Sequence, residues 1–351
     1  MKSPSSPQDP WSSAGRLAVL GTGYALPGDP VSTEQLTNRL AESCGLARQR
    51  EGQAIARRMA IRTRHFCRGF EAPEETARAG QSNPELVAAA VRSALQDAGL
   101  HIDDVGYLIA HTTTPQQPLP ANVALAADHL GYRGPHVELR QACTGFANAL
   151  MIAFGLLSTP RARPVVLVGS ETGSLFCDPR RAATDSEQLV NLMQMGDGAG
   201  AIVLGPADSG RCKIGPAWFG SIGLGRAPGI QLRHGQCEFA HDYAAILQSG
   251  SALFDAGATA ARGLGLELES HDTIIPHQVS GRVGAQLARH FGLDASRAFT
   301  NADRIGNTGS AAIWIALAEV RSRGLAAGAT VLTLGAEATK YMYGGFSYAH
   351  A

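Results

Sequence analysis

One cysteine of this chain, Cys143, lies where a predicted extended segment turns into an apolar helix. The free N–H groups and the positive end of the dipole at a helix N-terminus favour the thiolate, which is the form that attacks carbonyl carbon. Most cysteines at arbitrary positions are instead small, inert core residues. The position of Cys143 therefore predicts a nucleophile, and the elements around it decide what that nucleophile attacks.

The neighbourhood of Cys143 recurs in the second half of the chain. In both copies a strand precedes a short polar segment, an apolar helical run follows it, and a second strand ends in a glutamate. The matched segments are 107–111 with 273–277, 142–147 with 306–311, and 165–172 with 330–339. Three blocks in the same order indicate two copies of one strand, helix and strand unit.

The duplication predicts which side chains share a site. Cys143 and Asn307 hold equivalent positions, so both start a central helix next to a pseudo-twofold axis. His277 ends a strand of the second copy, at the edge of an α/β sheet where ligands bind. In a hydrolase, such an imidazole would deprotonate the thiol and the amide would orient the imidazole. Here each residue ends or starts its own element, which favours two neutral donors that stabilise an enolate.

With these motifs the chain resembles the ketoacyl synthase III branch of the thiolase superfamily, from about Leu17 to the C-terminus. The matching segments are 21–23 with 26–27, 61–65, 142–146, 196–201, 276–278 and 306–308. The resemblance implies an α/β, thiolase-like fold, in which two duplicated α/β halves form a five-layer αβαβα sandwich.

The predicted organisation has three parts. Residues 1–14 are expected to be a disordered leader, 15–205 the N-terminal half with the nucleophile, and 206–351 the C-terminal half with His277 and Asn307. Capping patterns further predict amphipathic helices over 32–50 and 84–98.

The resemblance also implies an activity. It is that of a β-ketoacyl synthase III type acyltransferase, which loads an acyl group on Cys143 and forms a carbon–carbon bond. The second substrate would be a malonyl-type thioester, decarboxylated during the reaction, or a β-ketoacyl thioester on an acyl carrier protein. Such reactions serve fatty acid or polyketide biosynthesis. Backbone amides of Cys143 and Ala336 would hold the oxyanion, and no cofactor would be needed.

By the same resemblance, Arg58 and Arg282 lie at the mouth where phosphopantetheine donors enter. The positions that clamp the adenine of coenzyme A in relatives are about Ala54 and Leu175 here. Carrier-bound donors are therefore expected, while coenzyme A is left open. Relatives also imply a homodimer in which residues near 118–122 of a facing subunit close the acyl tunnel.

Several alternatives stay open at this point. The Cys143 acyl group could pass to an alcohol or amine, or the chain could be a non-catalytic partner subunit. Glu337, unusual in its turn, either tunes His277 or repeats Glu171 as a structural strand-end carboxylate. The polar stretch over 177–195 shapes the tunnel or a dimer contact, or it is a solvated loop.

Composition limits the other functions. With 30 basic and 30 acidic residues in 351, the formal net charge is zero, which argues against a nucleic-acid binder. No apolar run is long enough to cross a membrane. Six scattered cysteines are typical of a reducing cytoplasm. The spacing of His234, Cys237 and His241 is metal-like but lacks a second paired cluster, so no metal is expected.

Overall fold

The structure is a computed structural model that describes residues 10–71, 77–78, 80–159, 162–232 and 238–351. These residues form ten α-helices and fourteen strands. The helices α1 to α10 are Thr33–Cys44, Gln49–Met59, Asn83–Ala98, Asn122–Leu130, Gly145–Leu157, Ser186–Gln194, Tyr243–Gly263, Val283–Phe291, Ala302–Ile305 and Ala312–Ser322. The strands β1 to β14 are Trp11–Ser13, Leu17–Ala25, Val31–Ser32, Thr63–Arg64, Tyr107–His111, His136–Leu139, Val165–Glu171, Gly198–Gly205, Lys213–Ser221, Ile230–Gln231, Ala240–His241, Thr273–Pro276, Thr330–Glu337 and Met342–Ala349.

Ten of these strands form one sheet in the order β12-β13-β14-β9-β2-β8-β7-β5-β6, with β1 paired to β9. The sheet contains the same arrangement twice, as β2-β8-β7-β5 and as β9-β14-β13-β12. In each copy the last two strands are parallel and the other neighbours are antiparallel. The copies meet where Leu17 of β2 pairs with Ile214 of β9. The topology confirms the predicted duplication.

The helices divide the molecule into five layers. Helices α5 and α10 lie in the central core, between the strands of the first copy and those of the second. Helices α3 and α4 cover the outer face of the first copy, and α7 and α8 cover the outer face of the second. This is the predicted αβαβα sandwich. It places the starts of α5 and α10 deep inside the protein.

Helix α5 is apolar on nearly all sides because it faces a sheet on both flanks. Near its first turn, Phe146 packs edge-on against Trp314 of α10 and Phe346 of β14, with ring centroids 6.0 and 5.7 Å apart. Truncating a buried aromatic in such a core costs about 3–5 kcal/mol. The two central helices are therefore held rigidly against each other beside the position of Cys143.

The N-terminal expectation is wrong in part. Trp11–Ser13, placed in a disordered leader, form β1 and pair with β9, and the Trp11 ring packs against Phe154. The Trp11 side chain covers an apolar face of the core, and this burial stabilises the ordered conformation of the segment. Residues 1–9 lie outside the described residues. The division at 205 stays a prediction and falls between β8 and β9.

The helix predicted over 32–50 is two helices. Its start is as predicted, because Ser32 and Gln35 form a capping box. It ends at Cys44 because Gly45 adopts a left-handed conformation, with φ +67°, and its N–H bonds to Ala41. Among the described residues, no helix combines the length and the apolar character that a membrane span requires.

Candidate functional site

Cys143 lies two residues before α5, in the turn that leads from β6 into the helix. It is half-buried and lines a cavity of about 120 Å³. Asn307 lines the same cavity from the equivalent position, two residues before the 3₁₀ turn Gly309–Ala311 that opens α10. The structure therefore brings these two predicted residues together across the pseudo-twofold axis.

Backbone contacts fix Asn307. Its N–H donates to Gln194 at 2.9 Å, and its carbonyl accepts from Gly196 at 3.0 Å. Its side-chain Oδ1 accepts the N–H of Gly309 at 3.0 Å. With the oxygen engaged in this way, the Nδ2 amino group is the end of the side chain left for a ligand. Asn307 thus presents a donor to the cavity, as the enolate hypothesis requires.

Gly196 permits this close approach. A Cβ atom at this position would lie 1.8 Å from the carbonyl oxygen of Ile305, so only glycine lets the two chain segments meet. Segment 196–201 is one of the predicted family motifs. Further along it, Gly200 packs against α10 itself, where a Cβ would lie 2.7 Å from the nitrogen of Ile315.

A carboxylate occupies the start of the nucleophile helix. Oε2 of Glu337, at the end of β13, accepts the backbone N–H of Thr144 at 2.9 Å and its hydroxyl at 2.6 Å. The other carboxylate oxygen accepts the hydroxyl of Thr339. Glu337 therefore satisfies the donors at the N-terminus of α5, directly beside Cys143.

Glu171, the counterpart of Glu337 at the end of β7, makes the reciprocal contact. It accepts the hydroxyl of Ser310 at the start of α10, together with the N–H and hydroxyl of Thr113 and the hydroxyl of Thr114. Each strand-end carboxylate thus crosses from one half to the central helix of the other. This geometry favours the interpretation of Glu337 as a structural strand-end carboxylate over the interpretation that it tunes His277.

The expected thiolate is not the favoured form of Cys143. Burial raises the pKa of Cys143 well above its ordinary value, and Glu337 and then Glu171 raise it further. A helix N-terminus favours a thiolate only while its donors are free to interact with the sulfur. Here Glu337 accepts both donors of Thr144, and the thiol form of Cys143 is favoured.

His277 follows β12, and its backbone N–H donates to the carbonyl of Leu334 in β13 at 2.8 Å. The side chain is buried, and Nδ1 has no hydrogen-bond partner among the described residues. Burial lowers the pKa of His277 to about 4, so the ring is neutral near pH 7. His277 does not contribute to the described wall of the cavity, unlike Cys143 and Asn307.

The next residue links His277 to the Asn307 segment. Gln278 Oε1 accepts the N–H groups of Asn301 and Ala302, at the start of the short helix α9 that ends just before Gly306. These two bonds connect the segment that follows β12 to the segment that precedes Asn307.

The remaining predicted positions are distributed over two regions. Ala336 pairs with Tyr343 inside the sheet, and the cavity wall at this end of β13 is formed by Glu337, Ala338 and Thr339 instead. Its part in an oxyanion site stays a prediction. Arg282 lies beside Arg58, because its Nε donates to the carbonyl of Arg58 at 2.6 Å.

The sequence analysis gave Asn191, Gln194, Phe239 and His241 no part in the cavity, yet all four line it. Asn191 and Gln194 come from α6, within the polar stretch 177–195, so this stretch shapes the cavity rather than forming a solvated loop. Phe239 and His241 come from the β11 region, and Tyr243 fixes Asn191 through a 2.7 Å hydrogen bond. Only the position of α6 directly before the 196–201 motif could have indicated this wall.

His241 had been noted for a metal-like spacing. Among the described residues, no three histidine, cysteine or acidic side chains are arranged to hold a metal ion. His234 and Cys237, the other members of that pattern, lie outside the described residues.

Comparison with known proteins assigns the chain to a family. The model for 3-oxoacyl-[acyl-carrier-protein] synthase III matches residues 137–223, and the model for its C-terminal part matches 262–345. A β-ketoacyl-[acyl-carrier-protein] synthase III of Sphingopyxis alaskensis is 31% identical over 327 residues, which cover 86% of this chain and 89% of that one. The chain belongs to the 3-oxoacyl-[acyl-carrier-protein] synthase III family.

Other members of this thiolase-superfamily group extend the comparison. A 3-oxopimeloyl-[acyl-carrier-protein] synthase of Rhodothermus marinus is 31% identical, with 87% of this chain and 86% of that one covered. The solved structure of AbyA1, described as a tetronic acid condensing enzyme, has a TM-score of 0.82 and 26% identity, with 95% and 99% covered. The matched ranges span Cys143, His277 and Asn307, and membership confirms the predicted condensing-enzyme role.

For this synthase III homologue, Cys143→Ala should abolish the mass increase seen after incubation with acyl thioesters, because Cys143 is the only one of the described cysteines that lines the cavity. Cys177→Ala is the matched control and should still load. The Cys177 side chain is buried away from the cavity, and its thiol donates to the Ser174 carbonyl. Intact-protein and peptide mass spectrometry measure both variants. An acyl adduct mapped to Cys177 would contradict the assignment.

Proposed function

We propose that this chain loads an acyl group from a thioester onto Cys143 and condenses it with a second thioester. The observation that carries the proposal is the shared cavity, into which Cys143 brings a nucleophile and Asn307 a hydrogen-bond donor. A transferase acting on alcohols needs a base at the Asn307 position. The carboxylates near the cavity are instead occupied by their own donors.

In the first step, the sulfur of Cys143 attacks the thioester carbonyl and forms a tetrahedral intermediate. The backbone N–H of Cys143, with that of Ala336 or its neighbour Ala338, is the proposed oxyanion site. Collapse of the intermediate breaks the bond to the donor thiol, which leaves with the proton that Cys143 gives up. The elevated pKa of Cys143 makes this proton transfer part of the loading step.

In the second step, a malonyl-type thioester loses carbon dioxide and becomes an enolate, or a β-ketoacyl thioester supplies one. The enolate carbon attacks the acyl carbonyl on Cys143, and the new carbon–carbon bond replaces the thioester bond. Asn307 stabilises the enolate oxygen from the cavity wall. His277 is the proposed second donor, since its neutral ring retains one N–H.

The two steps can be separated by mutation. Asn307→Ala and His277→Ala should still load acyl groups on Cys143 but lose about 10²- to 10³-fold in the condensation rate, the usual effect of one preorganised donor. Asn191→Ala removes a different amide from the same wall and is the matched control. Single-turnover assays on preloaded enzyme measure condensation, and mass spectrometry measures loading.

If Asn307→Ala condensed at the wild-type rate but failed to load, Asn307 would belong to the first step. If Asn191→Ala lost as much condensation as Asn307→Ala, the effect would reflect the shape of the wall rather than a donor.

The proposed donor is an acyl group on an acyl carrier protein, and these reactions would take place in a reducing cytoplasm. Arg58 and Arg282 lie side by side on the exposed surface and can attract the phosphate of phosphopantetheine. Ala54 is exposed on α2, and Leu175 packs against the core of the first half. Neither residue offers a flat or charged side chain to hold adenine.

Loading from acyl carrier protein should therefore exceed loading from the same acyl-coenzyme A by at least about tenfold in kcat/KM, roughly 1.4 kcal/mol. Arg282→Glu should weaken the carrier reaction, most strongly at low salt. Arg289→Glu, an exposed charge reversal at the other end of α8, is the control. Equal kcat/KM values for both donors, or equal effects of the two reversals, would overturn this assignment.

A homodimer is also proposed. Strand β6 ends the sheet order, and in the described residues its outer edge has no partner strand. Helix α4 is tied to β6 because Val123 donates its N–H to Glu138. Just before α4, Leu119 is 85% exposed, which is unfavourable for a large apolar side chain next to an open edge.

Sedimentation at micromolar concentration should therefore give twice the chain mass of 36.7 kDa. Leu119→Glu should weaken the dimer, whereas Leu224→Glu, at a 93% exposed leucine on another loop, should not. A fully active monomer would refute the proposal.

A further inference from the structure

The nucleophile of this site lies in an anionic environment. The titratable groups that face Cys143 on the described wall are Glu337 from β13, Glu171 from β7 and His241 from β11, and this part of the wall contains no lysine or arginine. Burial lowers the pKa of His241 to about 4, as it does for His277. Both imidazoles are therefore neutral near pH 7 and supply no positive charge to a thiolate.

The two carboxylates are not equivalent with respect to the sulfur. Glu171 is surrounded by hydroxyl and amide donors from Thr113, Thr114 and Ser310, none of them adjacent to Cys143 in the chain. Glu337 takes both its N–H and its hydroxyl bond from Thr144, the residue that follows Cys143. It therefore holds its carboxylate next to the residue that carries the sulfur.

We propose that Glu337 is a positioning residue that keeps Cys143 protonated before a substrate binds, because the N–H and hydroxyl of Thr144 hold its negatively charged carboxylate beside the thiol. The inference rests on the proposed role of Cys143 as nucleophile. Its consequence is selectivity: a protonated, half-buried thiol reacts slowly with diffusing electrophiles and oxidants, which attack thiolates. A bound thioester, whose departing thiol accepts the proton, is then the favoured reaction partner.

Glu337→Gln tests this directly. The amide oxygen can still accept from Thr144, and its NH₂ can donate to the Thr339 hydroxyl, so the shape is kept while the charge is lost. We expect the midpoint of the pH–rate profile for alkylation of Cys143 by iodoacetamide to fall by about one pH unit. Below the midpoint, alkylation should accelerate by about threefold, because a less basic thiolate is also less nucleophilic.

Thr144→Val supplies a test of the opposite sign. The substitution removes the hydroxyl that neutralises part of the Glu337 charge, while the backbone N–H remains. The midpoint should therefore rise above that of the wild type. If the contact between Glu337 and Thr144 were purely structural, both variants would loosen the start of α5. The two pH–rate profiles would then shift in the same direction.

Glu171→Gln is the matched control, and its midpoint should fall by clearly less than that of Glu337→Gln. Peptide mapping confirms that Cys143 is the alkylated residue, and thermal melts confirm folding. An unchanged or raised midpoint in Glu337→Gln, or an equal fall in Glu171→Gln, would overturn the proposal. If Glu337→Gln does not fold, the direction of the Thr144→Val shift decides.

Alkylation requires no acyl substrate, so the outcome is independent of condensing activity. An enzyme that showed the predicted profiles but never loaded an acyl group would leave the assignment of Glu337 intact and refute the proposed function.

Discussion

Two buried carboxylates that cross the pseudo-twofold axis hold the centre of this molecule in place. Glu337 of the second half bonds to the start of α5, and Glu171 of the first half bonds to the start of α10. A carboxylate is stable in such a buried position only when donors surround it, and each of these has at least three hydrogen bonds. The helix starts, and with them Cys143 and Asn307, are positioned because those bonds must be kept.

The same arrangement sets the electrostatics of the cavity. Backbone donors at a helix start usually make a cysteine more acidic, but here they stabilise carboxylates, and the thiol lies next to the resulting negative charge. Burial lowers the pKa values of His277 and His241, so both rings stay neutral. The site thus combines a thiol that is protonated at rest with neutral donors, which suits the stabilisation of charge that develops only during a reaction.

Much of the fold and of the site could be predicted from the sequence, because the duplication leaves similar local residue patterns in both halves of the chain. The equivalence of Cys143 and Asn307, the caps at Ser32 and Ser82 and the layer order all depend on such patterns. The resting state of the thiol could not be predicted, since it depends on a contact between residues 193 positions apart. The helix that starts after the cysteine was predicted correctly, whereas the thiolate inferred from that helix start was not.

Other discrepancies have the same origin. The order of Trp11–Ser13 depends on a long-range pairing with β9 and on Phe154, which a polar N-terminal composition does not reveal. The wall contributed by His241 depends on a two-stranded pairing with β10 that joins residues of no distinctive pattern. His277 was placed correctly at a strand end, but whether its ring reaches the cavity is a matter of side-chain packing that periodicity does not encode.

The reciprocal crossing of Glu171 and Glu337 has a consequence for how the fold can be divided. Each half supplies a carboxylate that accepts a hydrogen bond from the start of the other half's central helix, in the manner of the isologous contact of a symmetric dimer. A half taken alone would keep the donors that its carboxylate finds within that half, such as Thr113 or Thr339. It would lose the bond across the axis, and the start of its central helix would lack that acceptor. A single half could make the missing contacts only by pairing with a second copy of itself. The chain segment that joins the two halves therefore connects two surfaces that are already complementary by symmetry.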